Sequence, residues 1–216
     1  MIIDERHPLL LGSASPRRRE ILASLGIPVL LRPVSVDETP QAGERPDGYL
    51  ERVVAGKLDA VGRLAPEELG QCAAVLVADT IVVEGDAILG KPRDEAEARV
   101  MLRRLSGRAH RVATRFAVAS GARPGHALCT QTVDTEVVFR LLSDEEVSGY
   151  AATREGLDKA GAYAIQGIGA FAVERVAGSY SNVVGLPACE VVLALRRAGL
   201  LGPFPLPARA ADGAGP

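Results

Sequence analysis

The sequence predicts an α/β protein, with mixed α+β character, built on a twisted mixed sheet. Three observations support this: short apolar runs of strand type, segments with apolar residues at helical spacing, and an order that lacks the strict rhythm of a doubly wound fold. A chain of 216 residues can bury a sizeable core. We expect one domain over residues 1–202 and a disordered tail at residues 203–216, which is rich in Pro, Ala and Gly.

The chain begins with a predicted strand, loop and helix. The apolar run at residues 8–12 ends at a glycine and is typical of a buried strand. Ser15 is the expected N-cap of a helix that has Pro16 at its first position and Gly26 as its stop. Because the first N–H groups of a helix have no intrahelical partner, such a start presents donors to a ligand.

The middle of the chain combines β-type runs with one long amphipathic segment. Residues 73–78 form an apolar run that delivers Asp79 and Thr80 at the end of the expected strand. Gly85 predicts a hairpin turn shortly after it. The other elements expected here are a strand at 28–36, a helix at 46–64, and hairpin strands at 81–83 and 87–89.

The last part of the chain also mixes both patterns. Ser143 and Glu146 form a capping box for a helix that continues to Ala152, and Gly107 stops the helix before it. The remaining expected elements are a helix at 94–105, strands at 111–119, 127–139 and 170–176, and a final helix that ends near residue 199.

Charge, cysteine content and hydropathy narrow the class of protein. The net charge is −2, and four Phe, four Tyr and no Trp offer few stacking surfaces, so nucleic acid is not an expected partner. The three cysteines are widely spaced and fit reduced thiols. We find neither a signal peptide nor an apolar run of membrane-spanning length, and therefore expect a soluble, cytoplasmic protein without a membrane partner.

The first polar cluster surrounds the start of the first predicted helix and consists of Ser13, Ser15, Arg17 and Arg18. The helix dipole disfavours cations at this end, so a bound anion explains the arginines better than a solvated first turn does. Guanidinium groups and hydroxyls are suited to phosphate oxygens. We therefore expect phosphate to bind here; a capped helix with a solvated basic turn is the alternative.

Two acidic pairs follow predicted strands. Asp37 and Glu38 come after residues 28–36, and Asp79 comes with Thr80 after residues 73–78. If these ends converge, carboxylates could hold Mg²⁺ or Mn²⁺ and one could take a proton from water. The alternative is structural, because Asp-Glu after a strand is more often a turn or a helix cap.

Three lysines, one further acid and one glutamine complete the candidate set. The lysines Lys57, Lys91 and Lys159 suit contacts to a phosphate chain when taken together. Asp158 is either a third metal-facing acid or the ion-pair partner of Lys159. Gln166 lies in an apolar, Gly-rich stretch, and its amide suits the edge of a uracil or thymine ring, although bonding to loop backbone is equally compatible.

Read together, these segments resemble the Maf family of nucleotide pyrophosphatases over residues 9–200. The resemblance implies an elongated mixed-sheet fold like that of inosine-triphosphate pyrophosphatases, with two lobes around a nucleotide cleft. No single segment is specific, but seven in the same order are. They are Ser-Ala-Ser-Pro-Arg-Arg (13–18), Val-Asp-Glu (36–38), Ala-Asp-Thr (78–80), Gly-Lys-Pro (90–92), Leu-Ser-Gly-Arg-Ala-His (105–110), Asp-Lys-Ala-Gly-Ala-Tyr-Ala-Ile-Gln-Gly (158–167) and Ser-Tyr-Ser-Asn-Val-Val-Gly-Leu-Pro (179–187).

The resemblance also implies a reaction: metal-dependent hydrolysis of dTTP and UTP, with modified pyrimidine nucleotides as further candidates, to a monophosphate and pyrophosphate. It implies Asp79 as the general base, and Arg17, Thr80 and Gln166 match positions associated with dTTP and UTP specificity. The implied sets are catalytic Asp79 and Lys91; substrate-binding Ser13, Ser15, Arg17, Arg18, Lys57, Thr80, Lys159 and Gln166; and metal-binding Asp37, Glu38 and Asp158.

Two questions stay open at this point. Close relatives often carry Glu where this chain has Asp37, so either acid of the pair at 37–38 could reach the metal. The alternative function is a regulatory nucleotide-binding protein in cell division or septum control without significant turnover; it predicts loss of the acids, which are present. A homodimer is the commonest assembly and our expectation on that ground alone.

Overall fold

The computed structural model describes residues 1–206, and within them seven strands form one mixed sheet. The sheet order is β2-β1-β3-β5-β6-β7, with β4 paired to the far end of β3. The first three strands in this order run parallel, and the pairs from β3 to β7 are antiparallel. The predicted mixed fold class is confirmed. The strands are β1 (Leu9–Leu11), β2 (Val29–Leu31), β3 (Ala74–Glu84), β4 (Ala87–Leu89), β5 (Ala109–Ser120), β6 (Ala127–Phe139) and β7 (Val173–Ala177).

Seven α-helices accompany the sheet in this part of the chain. The predicted caps are confirmed: Ser15 Oγ accepts the Arg18 N–H, and Ser143 and Glu146 form a reciprocal capping box. None of these helices is long and apolar enough to cross a membrane. The helices are α1 (Pro16–Ser24), α2 (Pro46–Gly62), α3 (Pro66–Leu69), α4 (Glu95–Leu105), α5 (Asp144–Ala152), α6 (Tyr180–Val184) and α7 (Ala188–Arg197).

One face of the sheet is covered by two separate helical layers. Helices α1 and α7 bury Leu22 and Leu195 against the first half of β3, around Leu76. Helices α4 and α5 form a second cluster at the other half of β3, where Leu105 packs in the same group as Val82. Each fully buried aliphatic side chain contributes about 2 kcal/mol, so both layers are firmly held. The level of β3 between them belongs to neither cluster.

Helix α2 covers the opposite face along its whole length. Its C-terminal half packs Val61 in a cluster with Val75, and its N-terminal half packs Leu50 in a cluster with Ile81. Lys57 is buried on the same side of α2, between these two apolar groups. The helix therefore presents a charged side chain to the same middle level of β3.

Strand β3 runs without a break from Ala74 to Glu84, so the prediction that Asp79 follows the end of a strand is wrong. The reason is a change of neighbour along one edge. Strand β1 pairs with β3 up to Leu76, and β4 pairs with it from Val82 onward. Within the described chain, residues 77–81 therefore have β5 on one side and no strand on the other. Asp79 and Thr80 lie in this open stretch.

Other boundaries differ from the prediction for local reasons. The strand expected at 28–36 ends at Leu31, two residues before Pro33, which cannot donate to a sheet ladder. The strand expected at 170–176 begins only at Val173, because Ile168–Ala172 is a 3₁₀-helix. Helices α3 and α6 form in segments for which no helix was predicted, and Ser179 Oγ caps α6.

The predicted tail begins within the described residues and continues beyond them. Phe204 and Leu206 pack against the cluster formed by α1 and α7. The rest of the predicted tail, residues 207–216, lies outside the described residues.

Candidate active site

Asp79 and Thr80 are adjacent polar residues in the middle of the largely apolar strand β3. Successive strand side chains point to opposite faces, so the two residues serve different sides. Asp79 reaches Lys57 on α2, while Thr80 lies between the two helical layers of the other face and has its Oγ1 2.9 Å from Thr114 Oγ1. A buried polar pair is costly unless it is hydrogen-bonded, and both members have partners here.

Arg18 is buried, with 7% of its surface exposed, and four oxygens hold its guanidinium. Nη1 donates to Ser13 Oγ at 3.0 Å and to the Ala78 carbonyl at 2.9 Å. Nε donates to the Gly185 carbonyl at 2.8 Å, and Nη2 donates to Thr80 Oγ1 at 3.1 Å. The side chain is thus fixed at the open edge of β3 by protein oxygens, and the binding of phosphate by this cluster stays a prediction.

Lys57 joins two carboxylates on the α2 side. Its Nζ lies 2.7 Å from Asp79 Oδ1 and 2.7 Å from Glu38 Oε1, and it donates to the Ala78 carbonyl at 3.5 Å. Lys57 and Asp79 are buried, whereas the side chain of Glu38 is 43% exposed. The predicted convergence of acids from two segments is therefore present for Glu38 and Asp79.

Charge in this cluster is balanced by its own members. Partial burial would raise the pKa of Glu38, but the hydrogen bond and charge of Lys57, with the charges of Lys91 and Arg18, hold it below its ordinary value. Burial lowers the pKa of Arg18, and the charges of Asp79 and Glu38 oppose that shift. Lys91 is exposed and acts on Glu38 through its charge.

A second charged group joins α1 to the segment after α5. Arg17 Nη1 lies 3.4 Å from Asp158 Oδ2, and Lys159 Nζ contacts Asp158 Oδ1 at 2.5 Å. Burial would raise the pKa of Asp158, but the hydrogen bond and charge of Lys159, with Arg17, lower it. Asp158 thus has Lys159 as an ion-pair partner, one of the two roles left open by its sequence.

The remaining predicted residues lie around these two groups. Gln166 is exposed, and its side-chain amide makes no hydrogen bond to residues 1–206. The Asp37 carboxylate accepts the Thr39 N–H at 2.9 Å within its own loop, which lowers its pKa. Ser15 uses its hydroxyl to cap α1 and donates its N–H to Ser13 Oγ.

The acids form a pair and not a larger cluster. In the described part of the chain, no three His, Cys, Asp or Glu side chains group closely enough to hold a metal ion by themselves. Glu38 and Asp79 nevertheless meet on a single ammonium group, so a cation already occupies the point between them. Magnesium is commonly bound by one or two carboxylates together with substrate phosphates, so the donor set fits such an ion.

The sequence of residues 8–198 matches the family described as Maf-like protein. The chain belongs to this family. Relatives named dTTP/UTP pyrophosphatase are 52% identical in Myxococcus xanthus, over 94% of this chain and 96% of the relative, and 50% identical in Geobacter sulfurreducens, over 91% of this chain and 100% of the relative. A solved nucleoside-triphosphatase / dITP/XTP pyrophosphatase from Mycobacterium abscessus covers 61% of this chain and 74% of its own, with 15% identity and a TM-score of 0.37.

The structure of this Maf-like protein also assigns supporting contacts to residues that the sequence did not single out. Asn182, fully buried, donates from Nδ2 to Thr135 Oγ1 and to the Val112 carbonyl, both at 3.0 Å. Its backbone carbonyl accepts from Thr114 Oγ1 at 3.3 Å, which ties it to the partner of Thr80. The available signal was the polar run Ser179-Tyr-Ser-Asn182 before two valines, and this signal alone does not identify a contact partner.

Proposed function

We propose that the protein hydrolyses dTTP and UTP to the nucleoside monophosphate and pyrophosphate. Family membership and the names of the relatives support this reaction. The observation that carries the proposal is the meeting of Asp79, Glu38, Lys57 and Arg18 at the open edge of β3. Two acids and two cations at one edge can bind an anionic phosphate chain and accept a proton from water beside it.

Asp79 is the proposed proton acceptor. Its Oδ1 is bound to Lys57, while its Oδ2 has no hydrogen bond within residues 1–206 and can receive one from water. Water attacks the phosphoanhydride between the α- and β-phosphates, its proton passes to Asp79, and pyrophosphate leaves. A well-placed general base contributes about 10² to 10⁴ in rate.

The basic side chains supply the groups that bind the phosphate chain. Arg18 is held rigid by four oxygens and needs little reorganisation, whereas Lys91 is exposed and free to approach a bound substrate. A preorganised donor such as Arg18 contributes about 3 kcal/mol when water is excluded. The full proposed phosphate-binding set is Ser13, Ser15, Arg17, Arg18, Lys57, Lys91 and Lys159.

Mg²⁺ or Mn²⁺ is the proposed cofactor, and Glu38 would hold it together with phosphate oxygens of the substrate. A divalent cation there would neutralise charge on the phosphate oxygens and polarise the phosphorus that water attacks. Asp37 and Asp158 remain further candidates, although Asp37 bonds within its own loop and Asp158 has two cations beside it.

Recognition of the base is assigned to Gln166, with Arg17 and Thr80 as the other specificity positions. The amide of Gln166 can accept from and donate to the edge of uracil or thymine. Thr80 would act indirectly, because its hydroxyl is bound to protein groups: Arg18, Thr114 and the Gly185 carbonyl.

The test replaces Asp79 by Asn and measures pyrophosphate release from dTTP and UTP with Mg²⁺ or Mn²⁺. We expect turnover to fall by at least about 100-fold, since Asn cannot accept the proton. Asp134→Asn is the matched control. Asp134 on β6 is also an acid paired with a cation, Arg111 on β5, but it lies outside this cluster. Turnover of Asp79→Asn close to that of the control would exclude Asp79 as the base.

A further inference from the structure

Two side chains near the end of α5 form hydrogen bonds to the backbone of the loop that carries Gln166. We call residues 164–169 the Gln166 loop. The Glu155 carboxylate accepts the Ile168 N–H at 2.9 Å through Oε1 and the Gly169 N–H at 2.8 Å through Oε2. Tyr150 Oη donates to Glu155 Oε2 at 2.9 Å and accepts the Ala164 N–H at 3.1 Å. Both ends of the loop are therefore fixed to one carboxylate–phenol pair.

Glycine is required where the loop meets this pair. A Cβ at Gly167, which has φ +80°, would collide with Glu155 Oε1. A Cβ at Gly169 would collide with the Ala164 carbonyl and with Tyr150 Oη. The loop backbone thus approaches the carboxylate closer than any side chain would permit, which is the usual reason for a glycine at such a contact.

The charge on Glu155 is matched to this role. Burial would raise its pKa, but the N–H groups of Gly169 and Ile168, the hydroxyl of Tyr150 and the charge of Lys159 together hold the pKa below its ordinary value. A carboxylate that accepts several hydrogen bonds makes stronger bonds than a neutral acceptor does. The backbone carbonyl of Glu155 also accepts a hydrogen bond from Lys159 Nζ. Glu155 therefore contacts both Lys159 and the Gln166 loop.

We propose that Glu155 is a positioning residue that sets base selectivity by fixing the backbone of the Gln166 loop. The inference rests on the proposed function, in which Gln166 reads the base. An amide carries a donor and an acceptor, and half a rotation about its last bond would suit cytosine as well as uracil. Selectivity for uracil therefore requires neighbouring groups that hold the amide in one orientation, and the backbone position that Glu155 fixes decides which groups the amide meets.

The test compares Glu155→Gln with Glu146→Gln, its matched control. Glu146 lies in α5, and its carboxylate accepts from the Ser143 N–H and from Arg140 but from no group of the Gln166 loop; Arg140 in turn donates to the Phe171 carbonyl, two residues beyond that loop. Gln keeps the size of Glu155 but places an NH₂ group against a backbone N–H or the Tyr150 hydroxyl. We expect the ratio of kcat/KM for UTP to that for CTP to fall about tenfold, with kcat for UTP changed less than about threefold.

Two further measurements separate a positioning role from general destabilisation. Hydrogen exchange at the amides of Ile168 and Gly169 should accelerate in Glu155→Gln and not in Glu146→Gln. In a double-mutant cycle, Glu155→Gln should leave the UTP/CTP ratio unchanged when Gln166 is already replaced by Ala. Tyr150→Phe, which loses the hydroxyl but keeps the ring, should shift the ratio in the same direction by less, and it provides the test if Glu155→Gln does not fold.

The outcomes distinguish this inference from the proposed function. If Gln166→Ala lowers the UTP/CTP ratio while Glu155→Gln and Tyr150→Phe leave it at the wild-type value, the positioning role is overturned and base reading by Gln166 stands. If Gln166→Ala leaves the ratio unchanged, base reading by Gln166 is wrong and the inference fails with it. An equal fall of the ratio in the Gln166→Ala background and in the wild type would also overturn it.

Discussion

Replacement of Lys57 by Met isolates the interaction on which the proposed site depends. Lys57 Nζ is 2.7 Å from oxygens of both Asp79 and Glu38, and Met keeps an unbranched side chain of similar length among the apolar neighbours in α2. The substitution removes the ammonium group and leaves two carboxylates without their shared partner. Any change in stability then reports mainly the charge interactions.

The expected size follows from the exposure of the three side chains. Lys57 is 7% and Asp79 11% exposed, so this pair is close to the buried limit, where loss of one partner costs about 3–5 kcal/mol. Glu38 is 43% exposed, and solvent screening reduces its share to less than about 1 kcal/mol. We expect Lys57→Met to lower the free energy of unfolding by about 3 kcal/mol near neutral pH. This value is at the lower end of the range because Asp79 lies in the stretch of β3 that, within the described chain, has no strand on one side.

The assay is a double-mutant cycle followed by urea unfolding. The four proteins are the wild type, Lys57→Met, Asp79→Asn and the double variant, each measured without nucleotide or metal. In the Asp79→Asn background, Lys57→Met no longer leaves a buried unpaired carboxylate. It should therefore cost about 2 kcal/mol less than in the wild type.

Additivity would refute the reasoning. If Lys57→Met costs the same in the wild type and in the Asp79→Asn background, within about 0.5 kcal/mol, the pair contributes no coupling and its short distance has no energetic meaning. Unchanged urea dependence of the free energy in all four proteins is the required control, because a change would indicate an altered unfolded or native state.

Two further predictions concern buried polar groups outside the charged cluster. Burial lowers the pKa of His110 from 6.5 to about 4, so the unfolded chain binds a proton at a higher pH than the native state does. The contribution of neutral His110 to the free energy of unfolding is therefore fully present above the unfolded pKa and should fall by about 2 kcal/mol between roughly pH 7.5 and 5. Urea unfolding measures this dependence on pH, and His110→Gln should reduce it. An unchanged pH slope in that variant would contradict it. Asn182→Ala leaves the Val112 carbonyl and Thr135 Oγ1 without their amide donor, and should lower stability by about 2–3 kcal/mol in the same assay, whereas an effect below about 0.5 kcal/mol would show that these groups find other partners.

Local signals predicted the helix ends well. The N-cap at Ser15 and the capping box at Ser143 are confirmed because each is formed by residues within one helical turn. Helix α2 begins at Pro46 as predicted and ends at Gly62, two residues before the expected end, where the apolar spacing stops. These features depend on neighbours in sequence, and for that reason the sequence alone contains them.

The site could be predicted in composition but not in arrangement. Arg17 and Arg18 are equivalent in the sequence, yet Arg18 points inward beside Leu22 while Arg17 pairs with Asp158. The difference arises because Arg18 lies on the inner face of α1, where its partner is the Gly185 carbonyl, 167 residues away in the chain. No local pattern specifies a contact over such a separation, and the same holds for the contacts that Glu155 makes to the Gln166 loop.

The position of Asp79 inside β3, and not at its end, explains how one strand can contribute to both sides of the site. A polar pair between two apolar runs is typical of a strand end, but here it marks the level where β1 has ended and β4 has not begun. Asp79 faces α2 and Thr80 faces α1 and α6, so the acid and the hydroxyl that holds Arg18 lie on opposite faces. Arg18 and Lys57 nevertheless both donate to the Ala78 carbonyl, from either side of the unpaired edge. A phosphate chain that contacts both cations must therefore lie along this edge, and pairing it with another strand would close the site.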